Sequence, residues 1–141
     1  MRRCARALLY LMCSSALTLG LAACGSAVST SSFPGAEHEV AQTIANLQSN
    51  ATAGEEKKVC ANDIASSVLA RLGGAKACEA AIKNQLAEVD NLEVKVQSIQ
   101  LPPGGKGVAR AQVTSIRSGK TQANTVSLVK EDGKWRISGV S

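Results

Sequence analysis

Apolar positions along this chain change their spacing once, from three and four residues to two, and the change falls near Leu92. Ahead of it, Val40, Ile44 and Leu47 share one side of a helix while Glu37, Glu39, Gln42 and Gln48 fall elsewhere, which predicts an amphipathic helix from residue 36 to about 50. A second helical stretch is expected to start at Glu55 and Glu56, where acids suit the positive end of a helix. It carries Cys60, Ile64 and Val68 at spacings of four and stops at Gly73 and Gly74. A third runs from Ala75 to about Val89 with Cys78, Ile82, Leu86 and Val89 on one stripe, and Asp90 and Asn91 turn out of it.

Past Leu92, β-branched residues alternate with polar ones, as in half-buried strands. Leu92, Val94 and Val96 lie on one parity and Ile99 and Leu101 on the other, so the first strand should carry a bulge near Gln97 and Ser98. Three more strands are expected at about 107–117, 121–131 and 134–140. Asp132 and Gly133 form a strong two-residue turn signal. A turn there sets Glu131 opposite Lys134, Lys130 opposite Trp135, Leu128 opposite Ile137 and Val126 opposite Gly139. A preceding turn at Gly119 and Lys120 sets Val113 opposite Val126 and Ala111 opposite Leu128. Moving it to Ser118 and Gly119 would place Asn124 against Val113. On this register Val113, Val126, Leu128, Trp135 and Ile137 share one apolar face, a core or pocket wall under the helices.

The plan is therefore α+β: N-terminal helices packed on a curved antiparallel sheet of about four strands. The order of elements and the ending Asp132, Gly133, Lys134, Trp135, Arg136, Ile137 resemble the nuclear-transport-factor-2-like superfamily, the cystatin-like α+β cone, and in particular its small exported bacterial lipoproteins. The resemblance covers roughly residues 36–141. It implies a pocket between helices and sheet, which enzymes of the superfamily use for acid-base chemistry with a buried Asp or His.

The N-terminus carries an address. Arg2, Arg3 and Arg6 precede an apolar run that ends at Leu21, Ala22, Ala23 and Cys24, and these four resemble the lipobox of bacterial lipoproteins. The resemblance implies a signal peptide over 1–23, removed on export, and a diacylglycerol thioether on Cys24. The chain would then be held at the cell membrane, facing away from the cytoplasm, by acyl chains whose buried methylenes contribute about 0.8 kcal/mol each. An ordinary secretion signal or an uncleaved anchor are the alternatives. Residues 24–35, rich in Ser and Gly and free of charge, read as a flexible tether spanning roughly 20 Å, and 36–141 as the domain.

Charge narrows the partners. Sixteen Lys and Arg stand against eleven Asp and Glu, and the three arginines of the signal account for most of the excess. With one Trp, one Tyr and one Phe in the whole chain, neither a basic footprint nor stacking aromatics are available for nucleic acid. Lys95, Arg110, Arg117, Lys130 and Arg136 could meet an anionic headgroup or an acidic partner, or simply face solvent.

Cys60 and Cys78 each begin the apolar stripe of their own helix in an exported chain, which predicts a disulfide joining the two helices. A loop of that size would contribute about 3 kcal/mol on the chain-entropy account. His38 lies between Glu37 and Glu39, whose side chains diverge on a helix, so no metal site is expected, and no cofactor. Gly119, Lys120 and Thr121 lack the upstream glycine and following helix of a phosphate loop. Asp63 and Asp90 are the acids that could face a pocket and serve as a base; Ser66 and Ser67 have no activating neighbour in the pattern. The expectation is a non-catalytic domain binding a small apolar ligand or an envelope protein. The competing readings are a small acid-base enzyme (isomerase, dehydratase or hydrolase) in the same cone, and a structural accessory subunit of an envelope complex.

Overall fold

The computed structural model describes residues 28–87, 92–104 and 107–141. The signal, Cys24 and Asp90 lie outside these residues. Helix α1 spans Gly35–Thr52 and buries Val40, Ala41, Thr43, Ile44 and Ala51, the stripe read from the sequence plus the small residues beside it. Ahead of it, part of the stretch read as tether rests on the domain: Val28 is 7% exposed and Phe33 packs against the core.

The second helical stretch is not one helix. A single turn, α2 (Glu56–Lys58), passes into a π-helical turn over Val59–Asp63, and the chain is then extended at Ile64 and Ala65 before α3 (Ser66–Leu72). The cause lies in the sheet: Ile64 forms a parallel bridge with Ile137, and the Ala65 N–H donates to the Ile137 carbonyl at 2.9 Å. A β-branched residue takes this extended form at little cost. The Glu131 carboxylate then accepts from the Ser66 N–H at 3.1 and 3.2 Å and from its hydroxyl at 2.9 Å, satisfying donors that a helix start leaves free. Gly73, at φ 95°, ends α3 in the left-handed conformation. Helix α4 covers Ala75–Ala87, and Cys78 on it is bonded to Cys60 in the π-turn, with Cα atoms 6.0 Å apart. The disulfide thus joins α4 to the π-turn.

Four strands, β1 (Leu92–Gln100), β2 (Val108–Arg117), β3 (Lys120–Glu131) and β4 (Lys134–Val140), form an antiparallel meander in that spatial order. The bulge in β1 falls at Gln97, between the pairs Val96 with Val113 and Ser98 with Gln112. The hairpin at Asp132 and Gly133 has the expected register from Glu131 with Lys134 to Leu128 with Ile137. There it departs from expectation: an extra residue, Ser138, sets Ser127 opposite Gly139 and Val126 opposite Val140, not Gly139. The β2–β3 register also differs. The turn is Ser118 and Gly119, at φ 48° and 76°, so Ala111 faces Val126 and Val113 faces Asn124. Two consecutive positive φ angles make the type I′ turn that suits strand twist. Asn124 is tolerated because its amide donates to the Ser115 hydroxyl at 3.1 Å. Moving the turn by one residue shifts the β2–β3 pairing by two, so the side chains of both strands keep their expected faces, whereas beyond Ser138 in β4 it is Val140 rather than Gly139 that lies opposite Val126. Val113, Val126, Leu128, Trp135 and Ile137 all lie in the one buried cluster with Val40, Ile44 and Cys60.

Candidate functional site

Two concavities flank α1. The first lies where β1 begins and β2 and β4 end. It has a volume of about 270 Å³ and is walled mainly by Leu47, Ile82, Leu86, Leu92 and Val140, with Ile137 at its floor and Arg117 at its rim. The walls come from α1, α4 and three strand ends, so the pocket exists only because the α4 stripe and the α1 stripe converge there. Of the five residues expected to form a core or pocket wall, Ile137 reaches this pocket. Trp135 borders the second concavity, and Val113, Val126 and Leu128 are buried between helices and sheet.

The second concavity is a polar groove of about 670 Å³ between α1, the π-turn and the β3–β4 hairpin. Gln42, Asn46 and Asn50 line it from α1, and Asn62 and Asp63 from the π-turn. One helical turn separates each α1 residue from the next, so the three amides form a row. Asn50 Nδ2 donates to Asp63 Oδ2 at 2.8 Å, and Gln42 Nε2 donates to Asn46 Oδ1 at 3.0 Å. Asp63 is only 3% exposed. Burial pushes its carboxyl above the usual value, partly offset by the Asn50 hydrogen bond and the Arg136 charge. Its placement follows from the wider π-turn, which brings a residue five positions into the segment beneath α1.

Glu39 closes one end of this groove. Its Oε2 accepts from Lys130 Nζ at 3.0 Å and from Trp135 Nε1 at 3.2 Å, and the Lys130 ammonium sits 5.6 Å from the Trp135 ring centre. The Lys130 hydrogen bond and charge, then the Trp135 hydrogen bond, hold the Glu39 carboxyl below its usual range. His38 Nδ1 donates to the Thr30 carbonyl at 3.0 Å. No three His, Cys, Asp or Glu side chains converge on a possible metal position among the described residues. The Ser66 hydroxyl donates to the Glu131 carboxylate, which also accepts from the Ser66 N–H and pairs with Arg136 at 3.6 Å. The amide row escaped the sequence reading because Gln42 counted there only as part of a polar helix face. The available signal was the spacing of amides at four and eight along α1.

No helix among the described residues is long and apolar enough to cross a membrane. No protein-family profile matches the chain, and no curated protein matches it. Among solved structures it is similar to the designed protein Rd1NTF2_05, in a variant with five substitutions, at 17% identity and a TM-score of 0.50, over 74% of this chain and 97% of that one. It is also similar to a de novo designed protein with a curved β-sheet, at 18% identity and a TM-score of 0.38, over 48% of this chain and 61% of that one. With helices packed on a four-stranded antiparallel sheet, the chain has an α+β fold like that of the first of these, a nuclear-transport-factor-2-like design.

Proposed function

We propose that the protein is a lipid-anchored domain outside the cytoplasm that binds ligands without turning them over, and that its aliphatic pocket takes a small apolar ligand or the apolar part of a larger one. The observation that carries this reading is the aliphatic pocket of about 270 Å³ with Arg117 at its rim. Ligand sites are mostly apolar concavities with few polar groups, and their volumes start at roughly 300 Å³, so this pocket suits a compact ligand. The Arg117 guanidinium favours a negative group at the mouth. The basic start, apolar run and Leu21, Ala22, Ala23, Cys24 sequence support the anchor.

Titration of the exported domain with 1-anilinonaphthalene-8-sulfonate, an apolar ring system bearing one sulfonate, tests the pocket. Saturable binding by the folded domain, lost in Ile82→Gln, is expected. Absence of saturable binding, or binding untouched by Ile82→Gln in a folded variant, would overturn the reading. Fatty-acid labelling in cells tests the anchor: wild type should label and partition with membranes, and Cys24→Ala should do neither.

One observation favours a second reading, an acid-base enzyme: the buried Asp63 carboxyl borders the polar groove and is pushed toward the pKa range of a general base. Its hydrogen-bond partner, however, is an amide, which cannot share a proton with it. Product formation from a panel of esters and hydroxy acids, abolished by Asp63→Asn, would favour the enzyme.

A further inference from the structure

We infer that the polar groove beside α1 is a second binding site, separate from the apolar pocket, and that it recognises the hydroxyl groups of a neutral saccharide. Three features of the groove point this way.

The first is the composition of its wall. Gln42, Asn46, Asn50 and Asn62 are amides, each able to donate and accept at once, and a sugar hydroxyl does both as well. The two internal bonds, Gln42 to Asn46 and Asn50 to Asp63, use one donor or one acceptor from each residue. They leave Gln42 Oε1, Asn46 Nδ2 and Asn50 Oδ1 directed by a partner yet still able to bond. From Gln42 to Asn50 the row runs roughly 12 Å at 1.5 Å per residue, the length of a short oligosaccharide rather than of one ring.

The second is Asp63. Its Oδ2 is held by Asn50 and its Oδ1 accepts no hydrogen bond, yet no fully buried side-chain oxygen among the described residues is left unpartnered. Oδ1 therefore opens on the groove. A carboxylate that has lost most of its water, fixed by a neighbouring amide, is a strong acceptor for a hydroxyl donor.

The third is charge. Glu39 is neutralised by Lys130 and Lys58 by Glu55, which leaves Lys134 of the hairpin and Asp63 as single charges of opposite sign on the walls. An anionic ligand would be drawn to Lys134 but repelled by Asp63, and a cation the reverse, so neither sign of charge meets a uniform wall. A neutral polyhydroxylated chain meets neither cost. Trp135, with its Nε1 committed to Glu39, adds an aromatic residue to the lining.

Isothermal calorimetry of the exported domain with N,N′,N″-triacetylchitotriose, maltotriose and cellotriose tests this. The first carries acetamido groups and the others only hydroxyls, so the three separate an N-acetylated glycan from a plain glucan. Saturable binding of at least one is expected. Asn46→Ala, on the exposed face of α1, should weaken it about three- to tenfold, the loss of one or two hydrogen bonds. Ile82→Gln, in the other pocket, should leave it unchanged. Asn50→Ala also strips Asp63 of its partner, so it is interpreted only alongside Asn46→Ala. No saturable binding by any of the three sugars, or binding equal in wild type and Asn46→Ala, would overturn the assignment.

Discussion

Asn50 and Asp63 meet at 2.8 Å, amide donor to carboxylate acceptor, and this bond fastens the last third of α1 to the π-turn. It places a nearly buried acid at the base of the polar groove, with consequences for pH.

Burial raises the Asp63 pKa, against the Asn50 hydrogen bond and the Arg136 charge. A folded-state pKa above the unfolded one means the folded form binds the proton more tightly. The acid's contribution to stability is therefore favourable at low pH and is lost as pH rises from the unfolded value, near 4, through the folded one. Asp63→Asn removes the ionisation and leaves an acceptor for Asn50. Its melting temperature should equal or exceed wild type near pH 7, and the difference should shrink toward pH 4. A variant destabilised equally at both pH values would contradict this.

Glu39 behaves with the opposite sign. Its pKa is lowered by Lys130 and Trp135, so the stabilisation it provides is present above the ordinary value of 4.5 and lost as pH falls through the folded value. Trp135, the single tryptophan, reports on it. Native emission should be blue-shifted, since the residue is 7% exposed. An acid titration of that emission should show a step that Glu39→Gln abolishes; an identical step in both would assign it to another group.

The Cys60–Cys78 bond should matter for stability at the level of about 3 kcal/mol. Urea unfolding of Cys60→Ala/Cys78→Ala against wild type measures it, and the reductant-treated wild type should approach the variant. A loss below about 1 kcal/mol would mean the unfolded chain is little constrained by the link.

The β2–β3 turn offers a backbone test. Ser118 is a non-glycine residue at φ 48°, and Gly119 sits at φ 76°. Ser118→Gly should be neutral or mildly stabilising, and Gly119→Ala should cost about 1 kcal/mol because alanine resists positive φ. Thermal melts of both check this. Cross-strand nuclear Overhauser contacts between Val113 and Asn124 check the register itself.

The β3–β4 turn was legible in the sequence because Asp132 and Gly133 encode it locally, and the bulge at Gln97 because the apolar parity flips there. The β2–β3 register was read from a type II′ turn with Gly119 first and from matching Val113 with Val126; the chain instead makes a type I′ turn with Gly119 second, and Asn124 with Ser115 supplies a polar pair that side-chain hydrophobicity does not score. The break at Ile64 was illegible for a different reason. Its cause is Ile137, which lies far along the chain; locally, Asn62, Asp63, Ser66 and Ser67 only weaken a helix and do not by themselves break it. The cysteine pair was visible from the placement of each residue on an apolar helix stripe. The amide row was visible as polarity only, since its meaning depends on Asp63 arriving beneath it through that same break.

The buried Val28 changes how an anchor would act. It stands four positions after Cys24, and an extended chain of that length reaches at most about 14 Å. With Cys24 acylated as proposed, little slack would separate acyl chains from folded protein. The domain would be moored rather than leashed, with a restricted tilt against the bilayer. Thr30, on the same incoming segment, is bonded to His38 at the rim of the polar groove. The groove would then open close to the lipid surface and sample molecules within a narrow layer above it, whereas a freely swinging domain would sweep a hemisphere.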